Sequence, residues 1–131
     1  MAYSETRRQQ ALIIEDEQDL AAIFSKALEV AGYQTGVIHN GQEALDRLSD
    51  IDQAPTLVLL DYHLPLVSGD EILHFIRGDR RFAQTRVIMA TCDPAAMVDE
   101  IENSADLVLL KPISYIQLRQ LASRFLLCPP S

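Results

Sequence analysis

Short apolar runs and longer amphipathic segments alternate along the chain. Four of the apolar runs are typical of strands buried on both faces, and a weaker strand is predicted between the first two. The five predicted strands cover residues 11–14, 33–38, 56–61, 86–90 and 107–110. After each strand, apolar residues recur at spacings of three and four, which indicates a helix with one buried face. This alternation predicts an α/β fold.

Capping residues mark the ends of several predicted helices. The first helix is expected to end at Gly32, and Asn40 can cap the start of the second. Ser114 and Gln117 match a capping box that opens the last helix. The fourth helix, predicted over 93–104, has the weakest apolar stripe, so its boundaries are the least defined of the five.

The same alternation predicts the topology. Right-handed crossovers place helices on both faces of a parallel sheet, so we expect one doubly wound (βα)5 domain. It is predicted over residues 11–127, with a flexible lead-in over 1–10 and a tail or linker start over 128–131. No apolar run reaches the ~18–20 residues of a membrane span, and the polar N-terminus lacks the apolar core of a signal peptide. We therefore expect a cytoplasmic protein with no membrane partner.

The net charge and the cysteines limit the kinds of partner and site that we expect. The net charge is −8, from 19 acidic and 11 basic side chains. A nucleic-acid backbone requires a concentrated basic face, so direct nucleic-acid binding is not expected. Cys92 and Cys128 form neither a metal-binding pattern nor a disulfide framework, which fits reduced thiols in a cytoplasm.

Polar residues follow four of the predicted strands at the point where each strand ends. They are Glu15 and Asp16, Asp61, Thr91, and Lys111. The carboxyl ends of parallel strands lie at one edge of a sheet, where open α/β proteins bind their ligands. These side chains therefore converge if their four strands are neighbours.

Such a set of residues suits phosphoryl transfer. Three carboxylates repel one another, and a hard divalent cation such as Mg²⁺ is the usual remedy. The cation and Lys111 would neutralise the charge on a phosphoryl group, Thr91 would donate a hydrogen bond, and Asp61 would be the nucleophile. Each residue also has an ordinary interpretation, as a helix cap, a surface lysine or a first-turn acid. Those interpretations do not explain why all of the residues fall in one set.

The set resembles the receiver domain of two-component response regulators. Residues 61–69 also resemble the family's Asp-x-x-Leu/Met-Pro-x-x-x-Gly motif, and the resemblance covers about residues 10–127. It implies a flavodoxin-like strand order of 2-1-3-4-5. It also implies a signalling phosphoacceptor rather than an enzyme, in which Asp61 takes a phosphoryl group from the phosphohistidine of a histidine kinase or phosphotransfer protein.

The resemblance assigns a metal site to the first and third strand ends. Asp16 and Asp61 would bind Mg²⁺ or Mn²⁺ together with the backbone carbonyl of His63, while Glu15 would act through a water molecule. Neutral imidazole is a poor ligand for Mg²⁺, so the ring of His63 is not expected to bind it.

The resemblance also assigns the remaining roles. Thr91 would bind a phosphoryl oxygen and shift inward, and Lys111 would pair with the phosphate, placed by a cis bond to Pro112. One position departs from the family pattern, because Val108 stands where an aromatic residue often responds to phosphorylation. The downstream effector is unknown, and receivers of this family can form homodimers through their fourth and fifth helices.

Two other functions are consistent with parts of the sequence. A receiver-like docking module that no longer accepts phosphate would explain Val108, but not the complete set of acids, threonine and lysine. An aspartate-dependent phosphohydrolase of the haloacid dehalogenase type would need a second aspartate two residues after Asp61, where this chain has His63.

Overall fold

The computed structural model of the chain describes residues 9–96 and 99–127, and they form alternating strands and helices. The elements are β1 (Gln9–Ile14), α1 (Gln18–Ala31), β2 (Tyr33–Ile38), α2 (Gly41–Ser49), β3 (Leu57–Asp61), α3 (Gly69–Arg77), β4 (Arg86–Thr91), α4 (Asp99–Ser104), β5 (Leu107–Leu110) and α5 (Tyr115–Leu127). Short 3-10 turns at Arg80–Phe82 and Pro94–Ala96 precede β4 and α4. The predicted order of elements is confirmed.

The five strands form one parallel sheet in the order β2-β1-β3-β4-β5, as the resemblance implied. Every residue of β3, the central strand, is buried, which explains its uninterrupted apolar run. One core lies between the sheet and α2, α3 and α4, and the other lies between the sheet and α1 and α5. The domain is therefore doubly wound, with the polar strand ends gathered along one edge.

Local sequence explains most helix boundaries. Gly32 ends α1 with φ 120, a left-handed conformation that suits glycine, and its N–H donates to the carbonyls of Leu28 and Glu29. The side chain of Asn40 accepts a hydrogen bond from the N–H of Glu43 at 2.8 Å and so caps α2. The hydroxyl of Ser114 likewise accepts from the N–H of Gln117 at 3.2 Å.

The largest differences from the predicted boundaries concern β1 and the fourth helix, whereas β3 and β4 differ by one residue each. β1 begins at Gln9, two residues early, because the backbone of Gln9 and Gln10 pairs with β2 although both side chains are exposed. Where a fourth helix is predicted over 93–104, the described residues form a 3-10 turn at Pro94–Ala96 and the six-residue α4. Residues 97–98, the first eight residues of the predicted lead-in and the predicted tail with Cys128 lie outside the described residues.

Arg77, the last residue of α3, joins several elements at the edge of the sheet opposite the polar strand ends. Its guanidinium donates to the carbonyl of Ser104 at 2.6 Å, the carbonyl of Thr85 at 2.9 Å and Oδ2 of Asp106 at 3.0 Å. The same Oδ2 accepts the N–H of Val87 at 2.7 Å. One side chain therefore ties the C-terminal end of α4 to α3 and to the starts of β4 and β5.

Tyr33 makes a similar connection between the edge strand β2 and the last helix. Its side chain is fully buried, and its hydroxyl donates to the carbonyl of Ala122 in α5 at 2.8 Å. Burial raises the pKa of this phenol to about 12, although Arg86 opposes the shift. The hydroxyl is therefore a neutral donor at every pH at which the protein is handled.

We expect Tyr33→Phe to lower the free energy of unfolding by about 1 kcal/mol, because one buried hydrogen bond is lost while the ring still fills its place. Urea unfolding followed by circular dichroism measures the change. Tyr115→Phe is the matched control, since the hydroxyl of Tyr115 has no hydrogen-bond partner in the described part of the chain. Equal stability of the two variants would show that the Tyr33 hydrogen bond contributes nothing.

Candidate functional site

The sheet register brings the predicted residues to one place. Asp61 is the last residue of β3 and pairs with Ala90, and Thr91 ends β4 opposite Leu110. Backbone hydrogen bonds extend this alignment past the strands. The N–H of Tyr62 donates to the backbone carbonyl of Ala90 at 2.8 Å, and the N–H of Lys111 donates to the backbone carbonyl of Thr91 at 2.8 Å. The short loops after these strands therefore start from fixed positions.

Three carboxylates lie together at this edge. One oxygen from each of Glu15, Asp16 and Asp61 lies within 4.8 Å of the other two. Glu15 and Asp61 are buried, with 2% and 5% of their surface exposed, whereas Asp16 is exposed. Oxygen ligands of this kind, two buried and one facing solvent, fit a hard divalent cation that enters from water and keeps several water ligands.

Lys111 lies between two of these acids. Its Nζ is 2.9 Å from Oε1 of Glu15 and 3.4 Å from Oδ1 of Asp61, and 17% of its side chain is exposed. The peptide bond from Lys111 to Pro112 is cis, as the resemblance implied. The ammonium therefore lies beside the carboxylate that was predicted to be the nucleophile.

In the absence of a cation, the environment of Asp61 disfavours the charged carboxylate relative to water. Burial and the nearby charge of Glu15 raise its pKa to about 6, against the opposing effect of Lys111 and of the His63 N–H, which donates to Oδ1 at 3.3 Å. Burial lowers the pKa of Lys111, but its hydrogen bond to Glu15 and the charge of Asp61 outweigh this, so the net shift is upward. The ammonium therefore stays charged.

Thr91 is fully buried, and its hydroxyl is directed into the turn that follows β4. The N–H of Asp93 donates to Thr91 Oγ1 at 3.0 Å, and Oγ1 is 3.4 Å from the carbonyl of Asp93. The side chain of Asp93 accepts the N–H of Ala95 at 2.9 Å. The threonine is therefore at the predicted strand end, engaged in a turn in this conformation.

The loop after Asp61 has an unusual backbone. Leu66 has φ 75 and is 79% exposed, a costly conformation for a branched apolar residue. Its neighbours close a tight turn, because the N–H of Val67 donates to the carbonyl of Pro65 at 2.9 Å. A Cβ at Gly69 would lie 2.2 Å from the carbonyl oxygen of Asp61, so only glycine fits there. The glycine of the motif thus permits α3 to begin directly against the end of β3.

Several contacts around the site were not predicted from the sequence. The hydroxyl of Ser68 and the side chain of Glu71 form a capping box that starts α3. A serine three residues before a glutamate is a recognisable signal for this motif. The N–H of Glu17 donates to Oε2 of Glu15 at 3.2 Å, and Nδ1 of His39 lies 3.1 Å from the Glu15 carbonyl. The Glu17 contact lies within the loop between β1 and α1, whereas the His39 contact joins residues 24 positions apart, and the sequence carries no signal for it.

The remaining predicted residues are placed as follows. The side chain of His63 is exposed and its ring packs edge-on against Tyr62, with centroids 4.9 Å apart. The role of its backbone carbonyl as a metal ligand stays a prediction.

Val108 is half-buried in β5, pairs with Met89 and packs against the core beneath α3 and α4. Cys92 is an exposed free thiol.

None of the helices within residues 9–96 and 99–127 has the length and apolar character needed to cross a membrane.

Comparison with known proteins agrees with this geometry. The family model described as "Response regulator receiver domain" matches residues 11–123. The DNA-binding response regulator MtrA of Mycobacterium tuberculosis is 32% identical over 110 residues, which cover 82% of this chain and 46% of MtrA. The chain thus spans less than half the length of the curated relatives that it matches.

Solved structures give the same result for the fold. A CheY-like receiver domain from Methylobacillus flagellatus has a TM-score of 0.79 and 27% identity, covering 90% of this chain and 98% of that one. The BeF3-activated receiver domain of DrrB, a Thermotoga maritima OmpR/PhoB homologue, has a TM-score of 0.77 and 26% identity, covering 92% and 98%. From residue 11 to residue 123, this chain belongs to the receiver domain family of two-component response regulators.

Proposed function

We propose that Asp61 is the phosphoacceptor of a two-component phosphorelay. One observation carries the proposal: the two oxygens of this buried carboxylate differ. Oδ1 lies beside Lys111 at 3.4 Å and the His63 N–H at 3.3 Å, whereas Oδ2 receives no hydrogen bond within the described part of the chain. A carboxylate held through one oxygen presents the other to an electrophile.

The chemistry requires one bond to form and one to break. An oxygen of Asp61 attacks the phosphorus of a phosphohistidine, forming an acyl phosphate, while the phosphorus–nitrogen bond breaks and its electron pair returns to the imidazole. The transferred group spreads its charge over three oxygens. The ammonium of Lys111 is close enough to pair with one of them, and the hydroxyl of Thr91 reaches another once it leaves the Asp93 turn.

The acidic cluster supports a divalent cation in the same reaction. Asp16 and Asp61 would hold Mg²⁺ or Mn²⁺, joined by the backbone carbonyl of His63, with Glu15 acting through a water molecule. The cation would reduce repulsion between these carboxylates and the incoming phosphoryl oxygens. Asp16 is exposed, so the cation can bind and leave without disturbing the buried core.

The partners follow from the chemistry of the site. The donor is a histidine kinase or phosphotransfer protein, because a phosphohistidine supplies the transferable group. Phosphorylation adds roughly −1.5 to −2 charges beside the start of the β4–α4 connection, which then presents an altered surface to an effector protein. Relatives such as MtrA are named as DNA-binding regulators, but the net charge of −8 argues against DNA contact by this chain itself.

We expect acetyl phosphate with Mg²⁺ to add one phosphoryl group to the protein, because a small donor carries the same reactive group. Intact-mass spectrometry detects the product. Asp61→Asn should abolish it, and chelating the metal should suppress it. Asp70→Asn, at an exposed acid in the first turn of α3, is the matched control and should be phosphorylated normally.

Two outcomes would redirect this interpretation. An adduct that survives in Asp61→Asn would identify a different acceptor. A folded protein that gains no phosphoryl group and does not bind Mg²⁺ would favour the docking module that acts without phosphorylation, which the absence of an aromatic ring at Val108 already suggests as the second candidate.

The raised pKa of Asp61 predicts that Asp61→Asn changes the free energy of unfolding. The sign of that change depends on whether Mg²⁺ is bound. A carboxyl with a folded pKa near 6 and an ordinary value of 3.8 stabilises the fold fully below pH 3.8, and this contribution is lost as the pH rises through 6. In metal-free buffer at pH 7.5, Asp61→Asn should therefore raise the free energy of unfolding by about 1–3 kcal/mol. Saturating Mg²⁺ should reduce or reverse the difference, because only the parent gains a ligand.

Urea unfolding at pH 7.5 and pH 4.5, with and without Mg²⁺, measures this effect. The advantage of the Asn variant should shrink at pH 4.5, where Asp61 of the folded parent is largely neutral and so resembles the uncharged Asn side chain. An advantage of equal size at both pH values would contradict the assignment of a raised pKa to Asp61.

A further inference from the structure

The side chain of Glu15 is more firmly held than a metal ligand acting through water needs to be. Its Oε1 is paired with Lys111 at 2.9 Å and its Oε2 accepts the N–H of Glu17 at 3.2 Å. The backbone N–H of Glu15 donates to the carbonyl of Ile38 at 2.9 Å, and the backbone carbonyl of Glu15 lies 3.1 Å from Nδ1 of His39. Both carboxylate oxygens and both backbone groups are therefore engaged, in a residue that is 2% exposed.

The ammonium of Lys111 is closer to this residue than to the phosphoacceptor. Its Nζ is 2.9 Å from Glu15 and 3.4 Å from Asp61. Lys111 follows β5, whereas Glu15 follows β1, and β3 and β4 lie between those strands. A long flexible side chain that crosses this distance loses much rotamer freedom, so its end needs a fixed partner. Glu15 supplies that partner.

Asp16 contrasts with Glu15 although the two are adjacent in sequence. It is exposed, and its carboxylate receives no hydrogen bond within residues 9–96 and 99–127. It can therefore turn toward a cation without giving up another interaction. Asp16 is therefore free to bind a cation, whereas both carboxylate oxygens of Glu15 are already engaged.

We propose that Glu15 is a positioning residue, which holds the Lys111 ammonium beside Asp61 rather than on it, while Asp16 and Asp61 bind the metal. This inference rests on the proposed phosphoacceptor function and replaces one part of it, the water-mediated metal contact of Glu15. Without the Glu15 charge, Lys111 would pair with Asp61 alone and cover the carboxylate that must attack phosphorus. With Glu15 present, Lys111 is shared and can transfer to a phosphoryl oxygen as that group arrives.

The test compares Glu15→Gln with Asp16→Asn, two neighbouring changes that each remove one carboxylate charge. Mg²⁺ affinity is measured from amide chemical shifts during titration with MgCl₂, and the phosphorylation rate is measured with acetyl phosphate at saturating Mg²⁺. For Glu15→Gln we expect the rate to fall about tenfold or more, the size expected for loss of one charge-assisted hydrogen bond, with Mg²⁺ affinity changed by less than about threefold. For Asp16→Asn we expect affinity to fall at least about tenfold, as for a lost ligand.

A third measurement reports directly on the lysine. The chain has two lysines, Lys26 and Lys111, so ¹⁵N-lysine labelling gives at most two ammonium signals. Lys26 is exposed and serves as the internal reference for rapid proton exchange with water. The Lys111 signal should be protected from exchange in the parent and in Asp16→Asn, and should shift and lose protection in Glu15→Gln.

The outcomes separate this inference from the function on which it rests. A parent that gains no phosphoryl group overturns the phosphoacceptor, and the lysine signal then still tests the positioning. A Glu15→Gln protein that is phosphorylated at the parent rate, or whose Lys111 signal is unchanged, overturns the positioning role. A tenfold loss of Mg²⁺ affinity in that variant, with the rate restored by more Mg²⁺, would make Glu15 a metal ligand instead.

The amide spectra also report whether Glu15→Gln folds. If it does not, Glu15→Asp takes its place, because it keeps the charge and withdraws the carboxylate by one methylene. The Lys111 signal and the rate should then change in the same direction by a smaller factor. Unchanged values of both in this variant would likewise overturn the proposal.

Discussion

The burial of one carboxylate beside another is the constraint on which this site depends. Glu15 and Asp61 lie at the ends of adjacent parallel strands, with almost no exposure to water. Two negative charges in that position are unfavourable unless something positive accompanies them. Lys111 is the cation that the chain itself contributes. The fold therefore supplies a partial balance of charge, and the negative charge that remains fits the divalent cation proposed for this site.

The rest of the domain keeps these groups in place. β3 is buried along its whole length and fixes Asp61 in register with β4. The close approach of Gly69 to the Asp61 carbonyl and the capping box of Ser68 start α3 immediately after the loop. Rigid strands and short connections thus hold the side chains of the candidate site more firmly than a long loop could.

Much of this arrangement could be predicted from the sequence, for physical reasons. Buried strands have continuous apolar runs, and residues at their carboxyl ends share one edge, so Asp61, Thr91 and Lys111 could be assigned to one site. The start of β1 could not be predicted from the sequence, because Gln9 and Gln10 join the sheet through their backbone while their side chains stay exposed. Polar side chains at a strand end resemble a flexible segment.

Other features depend on distances that no local pattern records. The pairing of Lys111 with Glu15 joins residues 96 positions apart and depends on how the lysine crosses two strands. The left-handed backbone of Leu66 opposes the preference of leucine, so local propensity predicts the wrong conformation there. At the start of the predicted fourth helix, the side chains of Thr91 and Asp93 accept backbone N–H groups and so favour a turn over a regular helix.

The Arg77 network joins three parts of the chain through one side chain. Its guanidinium holds the carbonyl of Ser104, at the C-terminal end of α4, together with the segments that lead into β4 and β5. Because one guanidinium makes all of these contacts, removing it would free the end of α4 and the starts of both strands at once. The end of α4 that lies away from the acidic cluster is thus secured by a residue that takes no part in the candidate site.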